Sequence, residues 1–291
     1  MSSDPVGVAI VTGGCSGIGL ALSLHLAAKN WHVYILDIQD PVSEIPTEAV
    51  TFLKTDVSDW DQLASAFQTA YSRFSRLDFV ALNAGIVDRD EIFGSISGDP
   101  ANPPKSPNML TFGVNLYGPY YGLKLAAHYM SLPGGKAAAK GGKVVMTSSM
   151  AGIRVYAPYP QYSSSKYGVL GLTRAVAPAS EKVGIRVNCV CPALVATGMA
   201  PPGLENFPKS IITPMSTMIR AFDELCEFDK LAAEGKEAWV ASGPNGAVVE
   251  ANLQNVTYRE EPPRESDPIV DNGMVDALTT KYEERNSALR K

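Results

Sequence analysis

The chain has 291 residues, 45% of them hydrophobic and 19% charged, with a formal net charge of −5. That length and apolar content suffice for one large α/β domain, and the mild acidity without a basic run excludes an electrostatic footprint for nucleic acid. The start, Met1-Ser2-Ser3-Asp4, has no basic region, and the apolar run Val6–Val11 meets Gly13-Gly14 far short of a membrane span. A soluble, cytoplasmic protein with no membrane partner is therefore expected.

In chain order, strand-type runs at Val6–Val11, His32–Leu36, Val50–Lys54, Phe79–Leu82, Lys143–Thr147 and Ile185–Val190 alternate with helix-type patterns at Ile18–Lys29, Asp59–Phe74, Asn108–Met130 and Tyr162–Lys182. Gly246–Leu253 reads as a last strand. Such alternation builds βαβ units, so it predicts a doubly wound, Rossmann-type parallel sheet of about seven strands with helices on both faces. Gly94–Pro107 and Pro133–Gly142 are loops by composition, and Glu260–Asp271 is a charged, proline-rich strip before a final helical patch. Cys15, Cys189, Cys191 and Cys226 lack a paired metal spacing, so reduced core or loop thiols and no metal site are expected.

Two motifs carry chemistry. Val6–Thr12 runs into Gly13-x-x-x-Gly17-Ile18-Gly19, which puts glycines where a strand turns into a helix, so that backbone amides approach a pyrophosphate closely. The second strand ends at Asp37, eighteen residues after Gly19. A carboxylate there accepts bonds from an adenosine ribose and repels a 2′-phosphate, and no Arg or Lys follows in Ile38-Gln39-Asp40, which argues for NAD over NADP. The bland alternatives are an empty tight turn and a loop carboxylate or helix cap.

The second motif is Tyr162-Ser163-Ser164-Ser165-Lys166 with Ser149 thirteen positions before the tyrosine. A tyrosine hydroxyl ionises near pH 10, and a lysine one helical turn on supplies the positive charge that would bring it toward neutrality. Tyr120 and Lys124 repeat the spacing, but Pro107 stands thirteen positions before Tyr120 and has no hydroxyl to offer. Gly142–Ser149, in contrast, is an apolar strand ending in hydroxyls.

With these motifs in place the sequence resembles the short-chain dehydrogenase/reductase family, in its shorter single-domain branch, over roughly residues 6–255. The resemblance rests on Thr12–Gly19, on Asp56-Val57 after the third strand, on Asn83-Ala84-Gly85 closing the fourth, on Val114-Asn115-Leu116, and on Ser149, Tyr162 and Lys166. It implies that Asp56 and Val57 hold an adenine ring, that Asn83 and Gly85 belong to the cofactor site, and that Asn115, Ser149, Tyr162 and Lys166 are the catalytic four. After the sixth strand the family's usual Pro-Gly is Pro192-Ala193 here, followed by Leu194-Val195-Ala196-Thr197. The resemblance still implies that Pro192, Val195 and Thr197 line the nicotinamide site, with a slightly altered turn. Asp37 and the last strand, which lacks the family's Val-Asp-Gly-Gly ending, are similar to the 15-hydroxyprostaglandin dehydrogenase group.

The implied reaction is NAD-dependent interconversion of a hydrophobic secondary alcohol and its ketone, in one dinucleotide-binding and catalytic domain over 1–260 with a charged C-terminal extension over 261–291. Phe207, Ile211, Ile212, Met215, Met218, Ile219 and Phe222 suit an apolar substrate lid at about 198–236, or else ordinary core or a dimer face. Met150, Ile153, Tyr156 and Tyr159 would add apolar walls, and Arg154 and Lys209 are the nearest candidates for a carboxylate clamp. A biosynthetic ketone reductase, or a nicotinamide-binding regulatory protein without turnover, are the competing readings. The family resemblance implies a homodimer or homotetramer through the helices Asn108–Met130 and Tyr162–Lys182.

Overall fold

The computed structural model describes residues 4–94, 98–132, 140–200, 203–261, 277, 280 and 281. The loop expected at Pro133–Gly142, and the strip expected at Glu260–Asp271 with the helical patch after it, lie for the most part outside the described residues. Met1–Arg259 forms one compact unit and Glu260–Lys291 another.

The first unit is built on strands β1 (Val8–Thr12), β2 (His32–Asp37), β3 (Val50–Lys54), β4 (Phe79–Leu82), β5 (Gly142–Thr147), β6 (Ile185–Pro192), β7 (Val248–Asn252) and β8 (Asn255–Tyr258). Their order is β3-β2-β1-β4-β5-β6-β7-β8, all parallel except β8, which pairs antiparallel with β7. The helices are α1 (Gly17–Ala28), α2 (Trp60–Phe74), α3 (Leu110–Phe112), α4 (Gly118–Ser131), α5 (Pro160–Glu181), α6 (Met215–Cys226), α7 (Phe228–Glu234) and α8 (Lys236–Ala241). From β1 the chain winds outward through β2 and β3, then returns to the other side of β1 at β4. The carboxyl ends of β1 and β4 therefore flank the crevice where such folds bind ligands.

Strand side chains alternate between two cores, because successive residues point to opposite faces. Val33 and Ile35 join Leu22, Leu26, Met218, Phe222 and Trp239 on the face covered by α1, α6, α7 and α8. Tyr34 and Leu36 join Leu63, Phe67, Leu125 and Val169 on the face covered by α2, α4 and α5. In the first core Trp31 packs edge-on against Phe79, Phe228 and Trp239, while Trp60 packs edge-on against Tyr121 beside the second. Helix α2 shows why these segments fold as they do: Leu63, Ala66, Phe67 and Ala70 recur at helical spacing, and the Asp59 carboxylate accepts from the Asp61 and Gln62 amides at its start.

The sheet has eight strands where seven are expected from the sequence. Leu253, held at φ 53°, turns the chain back after β7, and Arg259 at the end of β8 grips the buried Glu250 carboxylate with Nε (2.7 Å) and a second nitrogen. Helix Asn108–Met130 is also interrupted: a π-helical turn, Gly113–Tyr117, separates α3 from α4. In the lid segment Met218 and Phe222 are fully buried against α1, whereas Phe207 and Ile211 are 52% and 44% exposed. Met218 and Phe222 of α6 thus belong to the core, with Met215 and Ile219 packed part-buried against it, whereas Phe207 and Ile211 before the helix leave apolar surface exposed.

Candidate active site

The turn from β1 into α1 requires its glycines. Gly13 and Gly17 adopt φ 65° and 51°, the left-handed region closed to most side chains. A Cβ on Gly19 would lie 2.1 Å from the Gly13 carbonyl oxygen and 2.7 Å from Asn83 Nδ2. Asn83 closes this turn from the end of β4, its Nδ2 donating to Thr12 O at 3.2 Å while its backbone amide donates to Thr12 Oγ1 at 2.9 Å. Ser16, the residue preceding α1, makes no side-chain cap bond. The first-turn amides are thereby left to an outside acceptor, which together with the glycine-lined cradle fits a dinucleotide pyrophosphate.

Asp37 sits at the carboxyl end of β2, its two oxygens accepting from the Cys15 and Gln39 amides at 3.1 Å each. Its charge and burial together push the Cys15 thiol up to about 12, burial being the larger cause. Asp56 Oδ1 accepts from the Ser58 amide (2.9 Å) and hydroxyl (2.7 Å), and Val57 is buried beside Gly118. At the end of β6, Ala193 donates to Ala251 O at 2.9 Å with no left-handed backbone, so the alanine in place of the usual glycine fits without strain. Val195 pairs with Thr213, and Thr197 lies against Gly17, its Cγ2 3.0 Å from where a Cβ would stand. The cradle and the start of the lid segment thus meet across the glycine turn.

Asn115, Ser149, Tyr162 and Lys166 converge from three elements, the π-helical turn, the segment leaving β5, and α5. Tyr162 and Lys166 are one turn apart on α5, and the ammonium sits over the phenol ring, 5.5 Å from its centroid. Ser149, two residues past β5, is near enough to the Tyr162 hydroxyl to favour its ionised form, and its Oγ accepts from the Ala151 amide at 3.1 Å. Lys166 Nζ donates to Thr147 O at 2.8 Å. A Cβ on Gly85 would be 3.4 Å from both Lys166 Nζ and Asn115 Oδ1, so these two groups close around one glycine. Asn115 lies in the π-helical turn, a distortion frequent at functional sites. Its side chain is committed to the Ile86 backbone and Ser165.

The electrostatics differ from the expectation that Lys166 brings the tyrosine down. Burial raises the Tyr162 hydroxyl above its ordinary value, opposed by the Ser149 side chain and reinforced by Cys191. Burial likewise lowers Lys166 to about 8, against a raising influence from Cys189 and Cys191. The lysine is over the ring rather than at the oxygen, so in the chain alone desolvation outweighs its charge. All four cysteines are free and buried, and the Cys189 and Cys191 sulfurs lie on one face of β6, 3.9 Å apart.

Arg154 faces Glu250 at 3.7 Å, which compensates its charge and leaves it poorly placed as a carboxylate clamp. Tyr156 and Tyr159 stack with ring centroids 5.7 Å apart. Asp88, which belongs to none of the motifs, accepts hydrogen bonds at the start of α5. Among the described residues no cluster of ligating side chains forms a metal site, and no helix is long and apolar enough to cross a membrane.

A family model described as short chain dehydrogenase matches residues 7–206. A short-chain dehydrogenase/reductase of Penicillium rubens, prx6, is 30% identical over 256 residues, which cover 85% of this chain and 80% of that protein. The (21S)-21-acetoxyl-apo-melianone synthase SDR of Melia azedarach is 33% identical over 250 residues, 83% of this chain and 87% of its own. Among solved structures, a 3-ketoacyl-(acyl-carrier-protein) reductase from Brucella melitensis complexed with NADH superposes with a TM-score of 0.68 at 20% identity, over 86% of this chain and 98% of that one, a likeness of fold.

Proposed function

Because the chain belongs to the short-chain dehydrogenase/reductase family, oxidoreductases acting on CH–OH groups with a nicotinamide cofactor, we propose that it interconverts a hydrophobic secondary alcohol and its ketone with NAD. The observation that carries this reading is the meeting of Tyr162 with Ser149 and Lys166 by the carboxyl ends of β4 and β5.

In the oxidative direction the Tyr162 oxygen takes the hydroxyl proton of the substrate, and in reduction it returns one. Ser149 donates to the substrate oxygen, stabilising the charge that develops there. Lys166 holds the cofactor ribose and supports the tyrosinate, and Asn115 orders the proton path from Lys166 to solvent. The cofactor, when bound, accepts or supplies the hydride. The glycine turn, Asp37, Asp56, Val57, Asn83, Gly85, Pro192, Val195 and Thr197 would hold it. NAD rather than NADP is favoured by the Asp37 carboxylate, whose amide bonds fix it at the edge of the glycine turn.

A lipophilic substrate is supported by apolar side chains left exposed in the loops after β5 and β6, among them Val155, Tyr156, Met199, Phe207 and Ile211. The resemblance of Asp37 and the last strand to the 15-hydroxyprostaglandin dehydrogenase group points to the same substrate class. The Melia azedarach relative is named a synthase, which favours a biosynthetic setting and leaves the ketone-reducing direction as a second reading. Exposed Tyr117, Tyr120 and Tyr167 on the α3–α4 segment and α5 support a homodimer or homotetramer through those helices.

The test is reduced-nicotinamide absorbance with hydrophobic secondary alcohols and NAD or NADP, then the matching ketones with NADH or NADPH, each beside Tyr162→Phe. Turnover with NAD that falls at least ~10³-fold in the variant is expected, since the proton transfer and its positioning both pass through that oxygen. Wild-type turnover by Tyr162→Phe would remove the proposed acid/base.

A further inference from the structure

Helix α5 carries the tyrosine in its first turn, where helices fray and where the initial amides have no intrahelical partner. It begins at Pro160, which has no amide hydrogen, and Tyr159 before it offers no side-chain cap. The first two donors are the Gln161 and Tyr162 amides, and a single distant carboxylate satisfies both. Asp88 Oδ2 accepts from Gln161 N at 2.9 Å and Asp88 Oδ1 from Tyr162 N at 2.6 Å.

Asp88 belongs to a short strap after β4 that is tied to the asparagine turn as well. The Ile86 amide donates to Asn115 Oδ1 at 2.8 Å, and Asn115 Nδ2 donates back to Ile86 O at 2.8 Å. Thr111 Oγ1 donates to Val87 O at 3.2 Å, and Asp90 Oδ1 accepts from the Asn108 amide at 3.2 Å. Gln161, itself buried, closes the ring by donating from Nε2 to Asn108 O at 2.9 Å. A local cap would tie the tyrosine only to its own helix. This one ties it to the turn that carries Asn115 and to the chain leaving β4.

We propose that Asp88 is the positioning residue of Tyr162, holding the start of α5 in register with the Asn115 turn through its bonds to the Gln161 and Tyr162 amides. The proposal rests on the reading of Tyr162 as the acid/base group. Lys166 is anchored independently, through Nζ to Thr147 O and through its carbonyl to Ser148 Oγ at 2.7 Å. Loss of the Asp88 carboxylate should therefore displace the tyrosine while sparing the lysine and the cofactor cradle.

The experiment compares wild type, Asp88→Ala and Asp88→Asn by two readouts. Amide hydrogen exchange at Gln161 and Tyr162 reports the clamp without any turnover; kcat, with Kd for NADH, reports its effect on chemistry. Asp88→Ala is expected to speed exchange at these two amides and to lower kcat about 10²-fold, the scale of an ångström's misplacement, with Kd for NADH within roughly threefold. Asparagine keeps one acceptor oxygen, so it should restore protection at one amide and recover about tenfold in kcat relative to alanine. Asp88→Ala with unchanged exchange, with wild-type kcat, or with kcat and NADH binding lost together would overturn the proposal. If the wild type itself turned over no alcohol or ketone, the functional reading would fail, and exchange would still decide whether Asp88 holds the helix start.

Discussion

Replacing Gly19 by alanine tests the cofactor cradle most directly. The added Cβ would stand 2.1 Å from the Gly13 carbonyl oxygen and 2.7 Å from Asn83 Nδ2, so it meets backbone and a locked amide rather than a mobile side-chain tip. Relief needs about 1 Å of movement between the two ends of the turn, in an interior packed too tightly to absorb it freely. Shifting pyrophosphate-facing amides by that much breaks about two charge-assisted hydrogen bonds at roughly 1.5–3 kcal/mol each, which weakens NADH binding roughly 10²–10⁴-fold. The strain also costs about 1–3 kcal/mol of stability. Calorimetric Kd for NADH and thermal unfolding would measure both. Gly171→Ala is the control, because nothing lies within 4 Å of its Cβ in α5; it should leave Kd unchanged and add roughly 0.5–1 kcal/mol of stability. A Gly19→Ala protein that binds NADH within threefold of wild type and melts at the same temperature would refute the cradle.

Asp37→Ser should narrow the preference for NAD, because removing a charge beside the 2′ position relieves roughly 1–2 kcal/mol of repulsion toward a phosphate; paired Kd measurements for NADH and NADPH check it, and an unchanged ratio would place the ribose elsewhere. His32 gives a pH prediction. Burial, and secondarily the Arg73 charge, lower it from 6.5 to about 4. Above pH 7 it is neutral folded and unfolded and contributes nothing; as pH falls below 6.5 the unfolded chain takes a proton that the fold refuses, so stability drops. The loss by pH 5 is about 2 kcal/mol, read as a fall in urea midpoint between pH 7 and pH 5 that flattens in His32→Gln. An equal fall in the variant would assign the effect to other groups.

The parts of this fold readable from sequence are those with local periodicity or a local steric demand. β1 to β7 announce themselves as apolar runs between turn residues, and Gly13, Gly17 and Gly19 by a turn that only glycine completes. β8 is too short to show a period: of Asn255-Val256-Thr257-Tyr258 only Val256 packs against the core, and the strand is held by Glu250 and Arg259, a pair nine residues apart with no periodic trace. The π-helical turn around Asn115 is silent for another reason, since one residue more per turn barely alters an apolar stripe over five residues. Met218 and Phe222 illustrate the limit of reading apolar patches, because a lid and a core helix share one pattern and only burial separates them. Asp88 was invisible because the helix it caps begins more than 70 residues further along the chain.

The chain has three tryptophans, and the fold divides them by layer. Trp31 and Trp239 are fully buried 5.9 Å apart in the core beneath α1, α6, α7 and α8, whereas Trp60 is half-exposed beside Tyr121 on the opposite side of the sheet. Native emission consequently has a blue component belonging almost wholly to one face and a redder one from the other. A Trp60→Phe protein would turn intrinsic fluorescence into a reporter of the first layer alone. Comparing its unfolding curve with that of circular dichroism would then tell whether the two layers of this sheet come apart together or in sequence.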